Sequence, residues 1–456
     1  MTGLAPTFRL PEAVTDAGDT IESVDQLVGY MEAGCRSADH QLLGLEYERL
    51  PLFSDGRAVP YASDDGPSVQ AALAALAGHG WERQEDGGRL LGLSGPLGDV
   101  HLEPGAQTEL ALRPHATAGG ILADLIEWRG SLREVAETTG VNLVALGLQP
   151  VTPIAEMEWV PKDRYRLMRE HLGARGDLAH HMMKGSAGAQ LTLDYHSEHE
   201  AGELIKAGLA LSPLVNALCL NAPIEEGREL GQLSRRPEIW SRTDPERTGL
   251  LPWIFEDGFS FRSWVDWALA APVMFFVRDG QWVTAGDASF TRLLDDPGDL
   301  APITFADWHL HLTTLFPEVR IKQNVEIRGM DSCSIEHVAG LMATWRGLLH
   351  DPETRTRALD VVADASAEAR QELHLGVGRT GLEHRFGDRR VAELSAEILA
   401  LAGQGLDRLA AAAGEADGDR ALLEPLAETA ASGRVPAMRV LERFREQGPS
   451  GLVVID

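Results

Sequence analysis

Two glutamates, Glu46 and Glu48, stand two residues apart in the segment GLEYERLPL (44–52), which is predicted to form a β-strand. Side chains alternate between the two faces of a strand, so both carboxylates point to one side while Leu45 and Tyr47 point to the other. Two like charges on one face are unfavourable unless a positive charge lies between them. Mg²⁺ is a candidate because it takes oxygen ligands and accompanies nucleotide phosphates. Taken alone, however, the segment favours a strand face exposed to water.

Carboxylates recur on other predicted strands, and basic residues recur close to them in sequence. Turn residues and apolar alternation predict a meander of short strands over 81–113, and further strands over 187–197 and 320–331. These strands carry the polar side chains Glu103, Glu109, Gln190, Asp194 and Glu326. The neighbouring basic residues are Lys162, Arg164, Arg235, Arg236, Arg247 and Arg328. Acidic strands that hold Mg²⁺, faced by basic groups, suit the phosphates of ATP, so the combination predicts a metal–nucleotide site.

Other catalytic motifs are missing from the sequence or lack the context that they need. There is no GxxxxGK[ST], which excludes a P-loop, and no GxSxG nucleophile setting. The one GxGxxG, at 376–381, follows no convincing strand and is attributed to chance. His309 and His311 lie two apart in a predicted strand. Without a third ligand they are interpreted as core or surface histidines, as is the pair at 180–181.

Charge and cysteine content restrict the partners and the location. The formal net charge of −28 leaves no basic excess to neutralise nucleic acid phosphates, so nucleic acid is not expected as a partner. Cys35, Cys219 and Cys333 are far apart and form no CxxC, which suits a reducing compartment and excludes a cysteine-based zinc cluster. The sequence shows neither a signal segment nor an apolar stretch of membrane-spanning length. It therefore predicts a soluble, cytoplasmic protein without a membrane partner.

The order of the predicted elements indicates one interlocked α+β domain with a helical C-terminal part. The apolar run 141–151 predicts a buried strand, and 1–18 an extended arm. Apolar residues at helical spacing predict helices over 19–33 (capped by Asp19 or Thr20), 67–79, 119–140 and 199–220, and one that starts near Pro161. We expect a single catalytic domain over 1–456, with a sheet core over 19–335 and a mostly helical portion over 336–456.

An ordered set of motifs lies within a stretch from about residue 20 to about residue 446. The motifs are GLEYE (44–48), LEPGAQTEL (102–110), PKDRYRLM (161–168), LSRRPEIW followed by TD and RTG (233–249), HLTTLFPEVR (311–320), EIRG (326–329) and TGLEHRF (380–386). Together they resemble the motifs of the glutamate–cysteine ligases of plant and proteobacterial type. Those enzymes are carboxylate–amine ligases with a glutamine-synthetase-like fold.

The resemblance implies a six-stranded antiparallel sheet curved into a bowl, with metal ligands on its inner face. It implies that ATP phosphorylates the γ-carboxylate of glutamate and that an amino acid amine then attacks the acyl phosphate. Carried over motif by motif, the Mg²⁺ ligands would be Glu46, Glu48, Glu103, Glu109 and Glu326. The ATP or phosphate contacts would be Lys162, Gln190, Arg247 and Arg328, and the amino acid contacts Met183, Arg236 and Trp240. Lys162, Arg236 and Arg328 would then be the catalytic side chains, acting by alignment and charge neutralisation.

Two departures from the family pattern concern the acceptor. The family has Q-x-N-x-D in the strand where this chain has Gln190, Thr192 and Asp194, so an amide is replaced by a hydroxyl. In the preceding segment, Gly185 stands where relatives have an arginine, and Gly188 where they have a threonine. The loss of these side chains predicts a larger acceptor pocket, or one that fits cysteine less well.

Several functions are compatible with these observations. The first is synthesis of γ-glutamylcysteine for a thiol pathway such as glutathione or ergothioneine, and a variant joins glutamate to another amino acid in specialised biosynthesis. A catalytically silent relative that binds glutamate or nucleotide is a third, although retention of the five strand glutamates argues against it. A guanidino-phosphotransferase is a fourth. The expected partners are small-molecule substrates, with the chain a monomer or a homodimer.

Overall fold

A computed structural model describes residues 8–11, 14–37, 40–256, 258–363, 365–414 and 418–455. Much of the arm predicted for 1–18 therefore lies outside the described residues, and the part that is described has no regular secondary structure. The longer strands are β1 (Leu43–Leu52), β2 (Glu82–Asp86), β3 (Arg89–Ser94), β4 (Gly98–Leu102), β5 (Thr108–Leu112), β6 (Asn142–Val144), β7 (Gly188–Leu193), β11 (Phe275–Arg278), β12 (Gln281–Thr284), β14 (Val319–Ile321) and β15 (Val325–Asp331). Two-residue strands are β8 (Ile224–Glu225), β9 (Arg228–Glu229), β10 (Thr248–Gly249), β13 (Phe316–Pro317), β16 (Arg385–Phe386) and β17 (Arg389–Arg390).

The helices fall into two groups along the chain. Those that precede or interrupt the sheet are α1 (Val24–Glu32), α2 (Val69–Ala77), α3 (Ala118–Thr139), α4 (Asp163–Gly173), α5 (Ala179–Gly185), α6 (Glu198–Asn216), α7 (Arg236–Ser241), α8 (Trp253–Glu256), α9 (Phe261–Ala270), α10 (Phe290–Asp295) and α11 (Phe305–Thr313). Those that follow it are α12 (Ile335–Leu349), α13 (Pro352–Asp360), α14 (Ala367–Thr380), α15 (Val391–Ala413), α16 (Glu424–Ser432) and α17 (Pro436–Gln447).

One antiparallel sheet of nine strands carries the acidic residues. Eight strands follow the order β14-β15-β7-β1-β5-β4-β3-β2, and β6 pairs with the end of β1. The sheet is open, since its two ends do not pair with each other. This confirms the α+β fold with an antiparallel sheet and a helical C-terminal region. The number of strands implied by the resemblance is wrong, because the hairpin extensions β2–β3 and β14–β15 lengthen the sheet beyond six.

The strand register aligns polar residues across the sheet. Glu48 lies opposite Glu109 in β5, and Glu109 lies opposite His101 in β4. Glu46 lies opposite Gln190 in β7. Because directly opposed residues share a face, these side chains form one polar surface across four strands. The strand predicted over 44–52 is thus confirmed, and it is central to the sheet.

Four predicted elements differ from the structure for local reasons. The helix predicted from Asp19 begins at Val24, because the Asp19 carboxylate accepts the N–H groups of Thr15 and Asp16 and closes a turn there. Ser23 caps the helix instead. The predicted strand 141–151 is regular only over β6. Further along the chain, the side chain of Gln149 accepts the N–H groups of residues 151 and 152 and holds a turn.

The predicted strand 320–331 is a hairpin, with β14 and β15 joined at Lys322, whose N–H donates to the carbonyl of Asn324. The hairpin places Arg320 directly opposite Glu326, which a single strand over the same residues would not do. His309 and His311 lie on helix α11 rather than on a strand, so their side chains point in different directions. His311 Nε2 lies 2.8 Å from the carbonyl of Ala268, and His309 Nδ1 lies 2.7 Å from the hydroxyl of Tyr30.

The C-terminal helices share a hydrophobic core with the sheet. One cluster of buried apolar residues extends from Val14 to Ala437 and includes members of β1, α3, α12 and α15. The GxGxxG segment lies at the end of α14, in agreement with its attribution to chance. Within the part of the chain that the structure describes, none of the helices combines the length and the apolar character needed to cross a membrane.

Candidate active site

A cavity of about 310 Å³ lies over the polar face of the sheet and is covered by α4, α5 and α7. Acidic and basic side chains line the same space. The acidic ones are Glu46, Glu48, Glu103 and Glu109. The basic ones are Lys162, Arg164, Arg236, Arg320 and Arg328. Uncharged lining residues include Gln107, Tyr165, Met168, Met182, Met183, Ser186, Gln190, Trp240 and Phe316.

The carboxylates of the sheet crowd one another. Burial, followed by the charges of Glu46, Glu103 and Glu48, raises the pKa of Glu109 well above its usual value. Burial and the neighbouring Glu103 raise the pKa of Glu48 to about 7, although the Gly188 N–H donates to its Oε2 at 2.5 Å. Burial and the charge of Glu326 also raise the pKa of Glu46. Like charges held close in a buried site favour binding of a cation.

Glu326 has a different environment from these four glutamates. Arg320 donates to both of its oxygens, at 2.7 and 2.8 Å from Nη2, and Lys322 Nζ lies 3.2 Å from Oε2. Arg328 also donates to Oε1. Burial alone would raise the pKa of Glu326, but these three cations hold it well below its usual value. Glu326 is therefore an ion-pair centre behind the cavity, and the structure does not offer it as a free metal ligand.

The basic side chains are held by backbone carbonyls and aromatic rings. Lys162 Nζ donates to the carbonyl of Leu102 at 2.8 Å, at the turn that carries Glu103. Arg328 donates to Gln190 Oε1 at 2.5 Å, and its guanidinium lies 5.8 Å from the ring centroids of Trp240 and Phe316. Such contacts hold these cations in place at the cavity.

Four buried N–H groups of the lining residues lack an acceptor among the described residues. They belong to Nε of Arg164, Nε of Arg236, Nε of Arg328 and the indole Nε1 of Trp240. A buried donor without an acceptor is costly, and such groups in a native structure call for an explanation. All four border the same cavity, which is consistent with a site shaped for an anionic ligand.

The LEPGAQ segment builds the turn that links the sheet to the covering helix α5. Gln107 Nε2 donates to the carbonyls of Met183 and Ser186 at 3.1 and 2.8 Å. Its Oε1 accepts the N–H of Gly105 at 2.8 Å. Gly105 is required here because a Cβ would lie 2.2 Å from the carbonyl oxygen of Lys184. This glutamine therefore fixes α5, with Met183, against the edge of the acidic surface.

The sequence matches the glutamate-cysteine ligase family 2 over residues 42–454. That range contains every motif described above and every residue that lines the cavity. The chain belongs to this family. It is 33% identical over 425 residues to the chloroplastic glutamate–cysteine ligase of Solanum lycopersicum, covering 92% of this chain and 79% of the relative. It is 32% identical over the same length to the chloroplastic enzyme of Arabidopsis thaliana, with the same two coverages. The chain is thus a ligase of this family.

Solved structures with this fold include a crystal structure of a glutamate–cysteine ligase from Francisella tularensis in complex with AMP. It aligns with a TM-score of 0.56 over 91% of this chain and 86% of its own, at 11% sequence identity. A bifunctional glutathione synthetase from Pasteurella multocida aligns with a TM-score of 0.50 over 91% of this chain and 51% of its own, at 13% identity. At such low identity these similarities concern the fold alone.

The predicted cytoplasmic location is wrong in the light of the family relatives. The similar enzymes of Solanum lycopersicum, Brassica juncea and Arabidopsis thaliana are all chloroplastic. This location belongs to the relatives, and it contradicts the cytoplasmic prediction. The earlier inference rested on three cysteines and on the lack of an apolar leader, and neither feature distinguishes between these two compartments.

Most of the residues predicted for the ligase site lie around the cavity. Those that line it are Glu46, Glu48, Glu103, Glu109, Lys162, Met183, Gln190, Arg236, Trp240 and Arg328. Arg247 does not, and its guanidinium is completely buried against the carboxylate of Asp244, at 2.7 Å from Nε. It also donates to the carbonyls of Pro272 and Thr314. The structure thus gives Arg247 a structural role in place of the expected phosphate contact.

The glycine substitutions do not enlarge the cavity as the sequence suggested. A Cβ on Gly185 would lie 2.6 Å from the Ile154 side chain, so isoleucine occupies the space of the absent side chain. A Cβ on Gly188 would lie 2.7 Å from Nη2 of Arg236, so the arginine occupies that space. The prediction of a larger acceptor pocket from these two positions is therefore not supported by the packing.

Sequence reasoning missed several residues that line the cavity. Arg164 was noted as basic but given no role, although it lies within a quoted motif, two residues after Lys162. His101 alternates with Glu103 on the same predicted strand, and this spacing could have identified it. Arg320 could have been found only by recognising the β14–β15 hairpin, which pairs it with Glu326.

The chemistry of the donor set fits Mg²⁺, although the described residues contain no ready-made group of three or more close His, Cys, Asp or Glu ligands. The four lining glutamates supply hard carboxylate oxygens, which Mg²⁺ prefers, and Mg²⁺ usually keeps several water ligands and binds few carboxylates directly. Burial raises the pKa values of Glu46, Glu48 and Glu109, and neighbouring carboxylates raise them further, an effect that a divalent cation would relieve.

The raised pKa of Glu48 predicts a pH dependence of stability in the absence of divalent metal. A carboxyl group whose pKa is higher in the folded state binds its proton more tightly there, so its contribution is fully present below about pH 4.5 and is lost as the pH rises to about 7. We expect the free energy of unfolding of the wild type, relative to Glu48→Gln, to fall across this range in chelator-containing buffer. Urea unfolding of both proteins at a series of pH values measures it. A constant difference would contradict the raised pKa of Glu48.

Proposed function

We propose that this chain joins the γ-carboxylate of glutamate to the amino group of a small amino acid, with cysteine as the first candidate, at the expense of ATP. The proposal is based on one observation. Four glutamates and five basic side chains line the same cavity, in a chain of the glutamate-cysteine ligase family. In the first step a γ-carboxylate oxygen of glutamate takes the γ-phosphoryl group, and ADP leaves. In the second step the acceptor nitrogen attacks the acyl carbon, phosphate leaves, and the nitrogen loses a proton to solvent.

The proposed roles follow from position in the cavity. Lys162, Gln190 and Arg328 border the polar floor and would orient the phosphates of ATP. Arg236, Trp240 and Met183 would bind the amino acid substrates, with the guanidinium facing a carboxylate. Mg²⁺ held by Glu46, Glu48, Glu103 and Glu109 would neutralise phosphate charge when bound. The unpaired N–H groups of Arg236, Arg328 and Trp240 support an anionic occupant.

The lining of the cavity favours an acceptor with a small, uncharged side chain. Met168, Met182 and Met183 contribute three thioether side chains to the wall formed by α4 and α5. Thioethers are soft and adaptable, so they suit a thiol or a small apolar group better than a charged one. This supports cysteine while leaving another small amino acid as the second candidate.

The domain organisation and the assembly also remain proposals. We propose that 1–456 acts as a single catalytic domain, in which the helical portion over 336–456 supports the sheet core over 19–335. The shared hydrophobic core supports this proposal. A monomer and a homodimer are both compatible with it, and the substrates are small molecules in either case.

The test of this function is product formation with a panel of amino acid acceptors. Purified protein is incubated with MgATP and glutamate plus one acceptor at a time, ADP release is followed, and the products are identified by mass. We expect one ADP per γ-glutamyl amide, with the highest kcat/KM for cysteine or another small uncharged amino acid. Omission of glutamate is the matched control and should stop ADP release.

Each alternative function predicts a different outcome. ADP release with a guanidino compound and without glutamate would identify a phosphotransferase and contradict the proposal. Binding of glutamate or ATP without any ADP release, whatever the acceptor, would identify a silent relative. ADP release without an amide product would show that the second step is lacking.

A further inference from the structure

Gly188, the first residue of β7, is in contact with the guanidinium of Arg236. A Cβ built on Gly188 would lie 2.7 Å from Arg236 Nη2, 3.3 Å from its Cζ and 2.8 Å from the carbonyl oxygen of Met330. Separations under 3.0 Å are essentially never found for real Cβ atoms. A side chain at this position would therefore require Arg236, the carbonyl of Met330 or both to move from the places that they occupy.

Arg236 is anchored on its other side, which limits how it can respond. Its Nη1 donates to the carbonyls of Gly329 and Met330 at 3.2 and 2.9 Å, and to Oδ1 of Asp331 at 3.0 Å. The side chains of Arg236 and Asp331 are 4% and 3% exposed. The arginine therefore lies between these acceptors and the bare backbone of Gly188.

An irregularity in the neighbouring strand supplies two of those acceptors. The pairing of β15 with β7 shifts register between Ile327 and Met330. A bulge frees carbonyl groups from the ladder and re-aims residues near active sites. Here the carbonyls of Gly329 and Met330 both point to Arg236. The bulge and the glycine thus form two sides of one seat for the guanidinium.

Gly188 also contacts the acidic side of the cavity. Its N–H donates to Oε2 of Glu48 at 2.5 Å, and the charge of Arg236 lowers the pKa of Glu48 against the effect of burial. One residue thus contacts the carboxylate proposed for the metal and the guanidinium proposed for the amino acid substrate. The distance between these two opposite charges depends on the backbone of Gly188 having no side chain.

We propose that Gly188 is a positioning residue that seats Arg236 against the sheet, and thereby sets where the carboxylate of an amino acid substrate binds relative to Glu48. This inference rests on the proposed ligase function. It assigns the glycine at 188 to substrate placement, whereas loss of a side chain there had suggested an enlarged pocket. Arg236 is the residue that contacts the substrate, and Gly188 acts only through it.

The experiment compares Gly188→Ala with Gly92→Ala as a matched control. Gly92 lies in β3 of the same sheet, and its Cβ would lie 2.7 Å from the carbonyl oxygen of Val100, without a nearby arginine. Both variants therefore crowd a cross-strand carbonyl to a similar extent. Steady-state KM values are measured separately for glutamate, for the acceptor and for ATP, with the thermal midpoint as a check of folding.

We expect Gly188→Ala to raise the KM of one amino acid substrate by about 10- to 100-fold, which is the range expected from losing one charge-assisted hydrogen bond. The KM for ATP should change by less than about twofold, as should every KM of Gly92→Ala. Equal KM values in the two glycine variants would overturn the inference. An equal rise in all three KM values of Gly188→Ala would also overturn it, because that result indicates general distortion.

A second pair of variants keeps the test decisive if Gly188→Ala does not fold. Lysine lacks the terminal nitrogen that lies next to Gly188, so Arg236→Lys should raise the KM of the same substrate by itself. In the Arg236→Lys background, Gly188→Ala should then change that KM by less than about twofold. If the single Gly188→Ala variant is unfolded, addition of Arg236→Lys should restore its folding. Additive effects of the two substitutions on this KM, or an unfolded double variant, would overturn the inference. Either result would mean that the alanine acts through its clash with the carbonyl of Met330. Absence of amide product from the wild type would instead refute the proposed function.

Discussion

Glutamine in place of Glu109 is expected to stabilise the protein and to remove most of its ligase activity. Glu109 lies opposite Glu48 and His101 in the sheet. Burial, followed by the charges of four other glutamates, raises its pKa well above the usual value. Glutamine has nearly the same shape and no charge, so the repulsion that the folded state tolerates would be lost. Repulsion between buried carboxylates in the folded state is typical of a site that binds a cation.

The loss of activity should be about 100-fold or more in kcat, the size found when one preorganised electrostatic contact is removed from an active site. Ligation is measured as amide product by mass, and stability as the midpoint of thermal unfolding in metal-free buffer at pH 8. Glu82→Gln is the matched control, since Glu82 is an exposed glutamate on β2 of the same sheet. Near-normal activity of Glu109→Gln, or a lowered midpoint, would refute the role of Glu109 in holding a cation.

Replacement of Arg247 by methionine is expected to destabilise the fold strongly while leaving ATP binding intact. Arg247 and Asp244 are both fully buried, and Nε of the arginine donates to Oδ2 of the aspartate at 2.7 Å. Removing one partner leaves an uncompensated buried charge, which typically costs about 3–5 kcal/mol. This is a large fraction of the roughly 5–15 kcal/mol by which native domains are stable.

A double variant distinguishes a structural role of Arg247 from a role in binding ATP. Urea unfolding gives the free energy of unfolding of Arg247→Met and of the double variant with Asp244→Asn, which should recover part of the loss because the unpaired charge is gone. The KM for ATP should equal that of the wild type wherever the protein is folded. A stable Arg247→Met protein with a raised KM for ATP would restore the phosphate role that the sequence suggested.

Strong periodicity accounts for what could be predicted of the fold. The meander over 81–113, the helices near 69–77 and 118–139, and the central strand over 43–52 follow from alternation, turn residues and caps that lie close together in sequence. Some errors occur where a side chain takes up backbone hydrogen bonds in place of a neighbouring strand, as Gln149 does after β6. Others occur where a hairpin turn is short and contains neither glycine nor proline, as at Lys322.

Residue type alone could not separate the arginines of the site. Arg236, Arg247 and Arg328 all stand in motifs and are equally basic in the sequence. Each forms an ion pair in the structure, but Arg236 and Arg328 line the cavity, whereas Arg247 does not. Glu326 is likewise indistinguishable from Glu46 by pattern, but it binds three cations. Which of these charged groups can contact a ligand depends on the neighbours that the fold brings together.

The ordered motifs were enough to identify the family. Strand alternation was enough to predict the antiparallel α+β fold and an acidic surface, because it places Glu46, Glu48 and Glu109 on strands with a definite face, with Glu103 just after the end of β4. Only the tertiary structure decided which charges are opposed and what fills the space at each glycine. The seat of Arg236 involves Gly188, the β15 bulge and Asp331, which are separated by up to about 140 residues in the chain. Close packing makes such a contact specific, and no local pattern can encode it.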